Sequence, residues 1–439
     1  MTMIPLNDNS PYKEELSDKD RQVLLKYAGK ELDALTKDNP GLLVFPDCLG
    51  EYGDDWNGES LCHFRGNSLW AGNVVGFFGI GDVHVQIRSR FDSDDKQYFF
   101  HYMLCRVFGI NMLNWQTTTN RESIWDFLPF LFPYFLKRAI KQGLFRSYRT
   151  IYHNDDHVRG TIDVGRHIRS NIPFNGKIAY HTREYTANNF LISLVRHTIE
   201  TIHRDARYSC ILNNDGDTRD AVAKITEATP DYSRHELPKV IAHNLRPVRH
   251  PFYTEYTALQ KLCLQILRHE KMTFGEDKDK INGIVFKAEW LWEEYLATIL
   301  GGIGFQHPKN TTRKSPKYLY QNNKGEIFPD FFSEAKKLVL DAKYKNSSIQ
   351  REDRFQLISY IHVLPVDAGF LIYPNNKTEV CYEDGGNGVL YGGRSLGYIT
   401  FAVPSGTKEF SDFQKGMQKS EDDLKNSPGI RWGCFIRKG

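Results

Sequence analysis

The sequence predicts an α/β protein of two or three domains, and three observations support this prediction. The chain has 439 residues, which exceeds the roughly 100 to 200 residues of a typical domain. Its composition is 40% hydrophobic and 25% charged, as in globular rather than disordered proteins. Segments with the two-residue period of strands also stand beside segments with the longer helical period.

The first predicted domain spans residues 1–150 and is rich in strands before it becomes helical. After the turn in "GIGD", Val83, Val85 and Ile87 alternate with polar residues, as expected for a half-buried β-hairpin. Helical periodicity follows in "YFFHYMLCRVFGINML" and over residues 125–141.

A mainly helical middle region is predicted over residues 151–255. It contains a long amphipathic pattern that Asn188 or Asn189 could initiate and that ends near Arg204. The later loop "NNDGDTRD" has some features of a calcium loop. Because the glutamate that closes an EF-hand is missing, we interpret this loop as a turn and a helix cap.

The last predicted domain spans residues 256–439 and is α/β. The helical segment "KAEWLWEEYLATIL" ends at a pair of glycines, Gly301 and Gly302. A hairpin over residues 327–345 follows, then a helix in "REDRFQLISYIHVL" that Pro365 stops, then the buried strand "AGFLIYP". The predicted order is helix, hairpin, helix and strand.

Charge and cysteine usage narrow the cellular context. With 57 basic and 54 acidic residues, any nucleic-acid contact must come from local patches rather than from an overall basic field. The seven cysteines form no C-x-x-C pair, which argues against a zinc ribbon or a disulfide framework.

No signal peptide is evident, and the longest apolar run is shorter than the roughly 20 residues that span a membrane. We therefore expect a cytoplasmic protein without a membrane segment.

The dipeptide Pro-Asp occurs three times, at residues 46–47, 230–231 and 329–330. Of the three aspartates in these dipeptides, only Asp330 is followed by an apolar segment that contains the pattern acid-x-Lys. Two triplets after Asp330 have this pattern, Glu334-Ala335-Lys336 and Asp341-Ala342-Lys343. Glu334 follows too soon for the chain to have entered a neighbouring strand, whereas the strand period places the side chains of Asp341 and Lys343 on one face.

Two carboxylates and a lysine at one place suit the hydrolysis of a phosphodiester. Carboxylate oxygens suit Mg²⁺, which would stabilise charge on the phosphate and lower the pKa of a bound water. A third carboxylate could come from the preceding helix. There we favour Glu293, while Glu289 and Glu294 remain open alternatives. Gln356 and Tyr360 lie four residues apart on a later helix and could complete the surroundings of the site.

The segments "FPD" and "LVLDAKYK" resemble the core of PD-(D/E)xK nucleases. Together with "RFQLISYI" and "GFLIYP" they are similar to the McrC family, the nuclease subunit of modification-dependent McrBC restriction systems. "WEEYL", "VRGTIDVGRHIRSN" and "TREYTANNFLISLVRHTI" are similar to that family as well, so the resemblance covers about residues 150–375. It implies that the C-terminal domain has the restriction-endonuclease-like fold.

The resemblance also implies roles for individual residues. Asp330 and Asp341 would bind Mg²⁺, Lys343 would be the catalytic lysine, Glu293 the helix acid that approaches the metal, and Gln356 the helix glutamine. The function implied is that of a Mg²⁺-dependent DNA endonuclease subunit.

A partner is implied too, namely a McrB-like AAA+ GTPase that forms a ring, reads modified DNA and is stimulated by the N-terminal part of the McrC chain. The sequence contains no G-x-x-x-x-G-K-[ST] motif, which predicts that the motor is a separate chain. Arg65, Arg88 and Arg90 are candidates for the stimulating contact. Candidates for phosphate contacts near the site are Lys314, Lys317, Lys345 and Arg351.

Two other functions remain open at this point. The chain could be a non-catalytic regulator that only assembles and stimulates the motor, or a stand-alone restriction endonuclease. The intact set of Asp330, Asp341 and Lys343 favours the catalytic subunit over the regulator.

Overall fold

The structure, a computed structural model, describes residues 2–39, 41–46, 59–92, 96–110, 127–272, 280–308, 316–345, 350–382 and 388–432. The chain divides into two compact units, one made of Met1–Thr119 with Gly275–Gly439 and the other of Asn120–Phe274. The three consecutive domains predicted from the sequence differ from this division, since both ends of the chain share one unit. Asp47, in the first Pro-Asp dipeptide, lies outside the described residues.

Helices and strands occur in both units, so the mixed α/β class is confirmed. The helices are α1 Asp18–Leu25, α2 Leu32–Asp38, α3 Tyr98–Phe108, α4 Leu128–Lys141, α5 Val164–Asn171, α6 Phe190–Arg204, α7 Gly216–Ala228, α8 Leu237–His243, α9 Glu255–Met272, α10 Ala288–Leu300, α11 Arg351–Val363, α12 Phe410–Asn426 and α13 Pro428–Trp432. The strands are β1 Thr2–Asn7, β2 Leu42–Phe45, β3 Cys62–Arg65, β4 Ser68–Ala71, β5 Val74–Ile80, β6 Val83–Arg88, β7 Ser147–Asp155, β8 Thr161–Ile162, β9 Ile178–Thr186, β10 Ile281–Lys287, β11 Lys317–Tyr318, β12 Glu326–Ile327, β13 Phe331–Ser333, β14 Leu338–Ala342, β15 Ala368–Asn375, β16 Glu379–Cys381 and β17 Ser395–Ala402.

The first sheet explains why both ends of the chain share one unit. Its strand order is β1-β6-β5-β10-β2, although β10 follows the whole middle unit in the chain. β10 pairs antiparallel with β5 and parallel with β2. At Gly283 a Cβ atom would lie 2.3 Å from the carbonyl oxygen of Phe77, so this close pairing requires glycine. The sheet therefore joins strands from the first and the last of the three predicted domains.

The β-hairpin predicted around "GIGD" is confirmed. β5 and β6 pair antiparallel up to Ile80 and Val83, which leaves Gly81 and Asp82 as the turn, with Gly81 at φ 56°. β5 is buried throughout, whereas β6 buries every second residue. α3 follows, as its helical period predicts.

The second sheet of this unit has the order β13-β14-β15-β17-β16. β13 and β14 form the predicted antiparallel hairpin, and β14 then pairs parallel with β15. Helix α11 packs over them, with Leu357 and Ile361 in one buried cluster with Val339 and Leu371. The predicted order of helix, hairpin, helix and strand is therefore confirmed.

The predicted end of α10 is confirmed, since the helix ends at Leu300 and Gly301 is its C-cap. A single 3₁₀ turn, Gly301–Ile303, follows. Gly304, at φ 90°, adopts the left-handed conformation and ends this turn.

Both predicted helix starts in the middle unit are confirmed. The side chain of Asn189 accepts hydrogen bonds from the N–H groups of Leu191 and Ile192, each at 3.1 Å, and caps α6, which ends at Arg204. Asp215 caps α7 by accepting from the N–H of Thr218 at 2.7 Å. The "NNDGDTRD" loop is thus a turn and a helix cap.

The middle unit also contains a sheet that the sequence pattern did not predict, with the order β7-β9-β8. Alternate residues of β7 are exposed, but these include Tyr148 and Tyr152, whose side chains are 65% and 63% exposed. Because large apolar residues face outward in this strand, the alternation of apolar and polar residues does not show which face of the sheet is buried. "Mainly helical" is therefore an incomplete description of this region.

Within the described residues, no helix combines the length and apolar character needed to cross a membrane.

A buried ion pair joins the end of β1 to the residues after β6. The Asp8 side chain is fully buried, and the Nε of Arg90 donates to its Oδ2 at 2.7 Å. The backbone N–H of Arg90 donates to the other carboxylate oxygen. Burial raises the pKa of Asp8 to about 6, although Arg90 acts in the opposite direction. Arg90, a sequence candidate for the partner contact, is thus engaged inside this unit.

We expect Arg90→Met to lower the free energy of unfolding by about 3–5 kcal/mol at pH 8, because the Asp8 carboxylate would stay buried without its cation. Without Arg90 the folded-state pKa of Asp8 rises further above its unfolded value, so the folded state retains a proton that the unfolded state releases. Stability then falls as pH rises from about 4 through the folded-state pKa. The loss should therefore be smaller at pH 5 than at pH 8.

Urea denaturation of the wild type and the variant at both pH values measures this difference. Arg65→Met, the same exchange at an exposed position, should cause little change. If Arg90→Met lowered the free energy of unfolding equally at both pH values, the result would contradict the pairing of Arg90 with the buried Asp8.

Candidate functional site

Three acidic side chains from three elements lie close to one another in the unit formed by the chain ends. Asp330 immediately precedes β13, Asp341 lies in β14, and Glu293 lies on α10. Phe331 pairs with Leu340, so the same register places Asp330 opposite Asp341. The N–H of Ala342 donates to Asp330 Oδ2 at 2.8 Å. The hairpin itself therefore brings the two aspartates together.

Burial and nearby negative charges together raise the pKa values of all three carboxylates. Burial, and after it the charge of Asp341, raises the pKa of Asp330 to about 7. Burial also raises the pKa of Asp341, although Lys343 acts to lower it. The pKa of Glu293 is raised well above its usual value by burial and by the charges of Asp330, Glu294 and Asp341. A site of this kind favours the binding of a cation.

The three candidate glutamates occupy different environments. Glu289 is exposed, whereas the Glu293 side chain is 19% exposed and interacts electrostatically with both aspartates. Glu294 Oε1 lies 3.5 Å from Nε2 of His307. This arrangement favours Glu293 as the helix acid that shares the site with Asp330 and Asp341.

Lys343 makes close contacts with an acid and an amide. Its Nζ lies 2.8 Å from Asp341 Oδ2 and donates to Gln356 Oε1 at 3.0 Å. Burial alone would lower the pKa of Lys343, but Asp341 and the other nearby carboxylates outweigh burial and raise it. Lys343 therefore carries a positive charge beside the acidic residues.

Gln356 and Tyr360 link Lys343 to the chain that leads into Asp330. Gln356 Nε2 donates to the Tyr360 hydroxyl at 2.7 Å, and that hydroxyl donates to the carbonyl oxygen of Phe328 at 3.1 Å. Burial, together with the nearby Asp341 charge, raises the pKa of Tyr360, so its hydroxyl keeps the proton that it donates. The predicted i, i+4 pair thus lies beside the acidic hairpin.

The residue after Lys343 is fixed by the first sheet, a feature that no sequence pattern predicted. The Tyr344 hydroxyl lies 2.7 Å from Ser89 Oγ, and its ring meets the Phe91 ring edge-on at 4.9 Å. The Arg90 guanidinium lies 5.3 Å from the centre of the same ring. Because these partners follow β6, the end of that strand supports the backbone directly after β14, where Lys343 lies.

His307 is a second residue that the sequence did not reveal. Its Nδ1 lies 2.9 Å from the main-chain oxygen of Asp330. Burial acts to lower its pKa, but the hydrogen bond to Glu294 and the interactions with Asp330 give a net increase. No motif surrounds this histidine, so nothing in the sequence could have identified it.

Several other candidates lie elsewhere or have other partners. Glu334 is exposed, and it lies with Lys336 in the turn between β13 and β14, as predicted. Of the candidates for phosphate contacts, Lys345 is paired with Asp353, Lys317 lies over the ring of Phe332, Arg351 lies over the ring of Phe355, and Lys314 is outside the described residues.

The donor set fits Mg²⁺ through two carboxylates. In the part of the chain that the structure describes, no three His, Cys, Asp or Glu side chains are grouped so that they could hold a metal ion. Mg²⁺ commonly takes only one or two carboxylates and completes its octahedron with waters and substrate phosphate oxygens. Asp330 and Asp341, which lie opposite each other in the hairpin, supply such a pair.

The chain matches one family of known proteins. A family model described as "McrBC 5-methylcytosine restriction system component" matches residues 69–374, more than half of the chain. No curated protein matches the chain.

Two solved structures are similar to the chain, both from Thermococcus gammatolerans. One is a half-complex from a tetradecameric assembly of McrB AAA+ hexamers with bound McrC, with 14% identity, a TM-score of 0.49, and coverage of 95% of this chain and 100% of that chain. The other is the McrBC complex, with 16% identity, a TM-score of 0.33, and coverage of 68% of this chain and 87% of that chain.

Proposed function

The chain belongs to the McrBC family of restriction system components, and from this premise we propose that it is the Mg²⁺-dependent DNA endonuclease subunit of such a system. The observation that carries the proposal is the contact between Lys343 and Asp341 beside Asp330. Membership of a restriction system supports DNA, and in particular modified DNA, as the substrate. In this proposal the sheet that contains β13 and β14 is the core of a restriction-endonuclease-like domain of the PD-(D/E)xK type.

Each side chain of the proposed site has a distinct task. Asp330 and Asp341 would hold Mg²⁺, with Glu293 beside them. When bound, the ion would stabilise negative charge on the scissile phosphate and promote ionisation of a water. Lys343, as a permanent cation, would orient the attacking water or offset charge on the phosphate. Gln356 accepts a hydrogen bond from Lys343 and so limits where its ammonium group can lie.

We also propose a partner, an AAA+ GTPase ring that this chain stimulates. Family members are components of a system, and the sequence has no P-loop motif of its own. NTP-driven movement of DNA would then depend on the second chain. Arg65, which is exposed on β3, and Arg88 remain candidates for the stimulating contact.

The small sheet of the middle unit is the surface that best fits such a partner. Its exposed apolar residues, with those of α5 and the adjoining loops, are Tyr148, Tyr152, Val158, Ile162, Val164, Ile168, Ile172, Phe174 and Tyr185. A concentration of exposed apolar residues is typical of interaction sites.

Arginines lie over two of these rings. The Arg183 guanidinium is 4.7 Å from the ring centre of Tyr148, and that of Arg166 is 4.9 Å from the ring centre of Tyr152. Tyrosine and arginine are among the residue types that dominate protein–protein binding energy. We therefore propose this tyrosine surface, defined by Tyr148, Tyr152 and Tyr185, as a second contact with the ring, in addition to the stimulating contact of the N-terminal domain.

The nuclease proposal is tested by Asp341→Ala and Lys343→Ala. Each should lower the rate of DNA cleavage at least about 100-fold, since the site loses a carboxylate or a cation at the point where charge develops. GTP hydrolysis by the partner ring, measured in parallel on the assembled complex, should be unchanged.

Glu334→Ala and Lys336→Ala are matched controls, because these residues have the same spacing but lie in the turn. They should cleave as the wild type does. Unchanged cleavage by Asp341→Ala would reject the nuclease role in favour of a regulator. Cleavage by the purified chain with Mg²⁺ alone would instead reveal a stand-alone endonuclease.

The partner surface is tested by a Tyr148→Ser and Tyr152→Ser double variant. Loss of one binding hot spot costs at least about 2 kcal/mol, or about 30-fold in affinity. We expect at least that loss in binding to the proposed AAA+ partner ring, together with loss of stimulated GTP hydrolysis. Tyr320→Ser, at a side chain that is 64% exposed in the other unit, is the control. Wild-type affinity of the double variant would exclude this surface.

A further inference from the structure

We propose that His307 is a positioning residue that holds Glu293 and Asp330 at a fixed separation for binding a divalent cation. This inference rests on the proposed function and adds to it the residue on which the geometry of the acidic site depends. The imidazole ring of His307 bridges two segments of the chain.

The backbone places His307 beside the hairpin. Gln306, its neighbour, exchanges two main-chain hydrogen bonds with Phe332, at 2.8 and 3.0 Å. This bridge attaches the segment that follows α10 to the outer edge of β13. His307 therefore stands next to the Pro-Asp segment, although it precedes Asp330 by 23 positions in the sequence.

The ring of His307 is fixed on one side by the Pro-Asp segment. Its Nδ1 lies 2.9 Å from the main-chain oxygen of Asp330. The ring stacks on Phe331, with 4.9 Å between ring centres and 26° between planes. The His307 side chain is only 12% exposed, and both the contact with Asp330 and the stacking on Phe331 hold it. The ring therefore has little rotational freedom.

The same ring also faces the acids of α10. Nδ1 lies 3.7 Å from Glu293 Oε1, and Nε2 lies 3.5 Å from Glu294 Oε1. Two consecutive glutamates of α10 thus meet the two nitrogens of one ring. Because the same ring contacts the main chain of Asp330, it sets the distance between α10 and the Pro-Asp segment.

This distance matters because the like charges of Glu293 and Asp330 repel each other at close range. Without the ring, the two segments could move apart and the carboxylates would no longer converge. Residues that orient metal ligands typically change metal affinity or activity about 10- to 100-fold when they are replaced.

His307→Phe tests the proposal, since it keeps the stacked ring and removes both nitrogens. Mn²⁺ binding to the full chain, followed by electron paramagnetic resonance without DNA, should weaken about 10- to 100-fold. His307→Asn, which can keep a donor near Asp330, should lose less affinity and provides the test if the Phe variant fails to fold. His203→Phe, the same exchange at an exposed histidine of α6, should bind as the wild type does.

The outcomes separate the two proposals. If the wild type binds Mn²⁺ and Lys343→Ala abolishes cleavage, but both His307 variants bind Mn²⁺ normally, the positioning role is overturned and the nuclease proposal stands. If the wild type neither binds Mn²⁺ nor cleaves DNA in the assembled complex, the nuclease proposal fails and this inference fails with it.

Discussion

The crowding of the Glu293, Asp330 and Asp341 carboxylates in a poorly solvated site is the constraint on which the rest of the site depends. Burial raises the pKa of each of the three, and nearby negative charges add to this increase, so the arrangement lowers the stability of the fold unless charge compensation offsets the cost. Lys343 supplies part of this compensation through its contact with Asp341. The divalent cation that we propose for this site would supply more.

Several surrounding contacts keep this unfavourable arrangement in place. The hydrogen-bond chain through Gln356 and Tyr360 ties Lys343 to the segment before Asp330. Tyr344 attaches the end of the same strand to Ser89, at the edge of the N-terminal sheet. That sheet in turn includes β10, which leads directly into the helix of Glu293. The N-terminal sheet and the candidate site are therefore parts of one unit.

Local sequence patterns predicted the elements that depend on neighbouring residues. The two-residue period placed Asp341 and Lys343 on one face of their strand, and Asn189 marked the start of α6. The entry of β10 into the N-terminal sheet was not predictable, because pairing between distant strands leaves no local signal. The small sheet was missed since its tyrosines face outward, and His307 because its partners are distant in sequence.

Asp330 and Asp341 are proposed to hold a divalent cation beside Lys343, and every other role in the site follows from that ion. The most direct measurement is anomalous diffraction from crystals soaked in Mn²⁺, which locates the ion without relying on activity. We expect one strong peak between the carboxylates of Asp330 and Asp341. The absence of a peak there, with Mn²⁺ bound at another position, would contradict the proposed site.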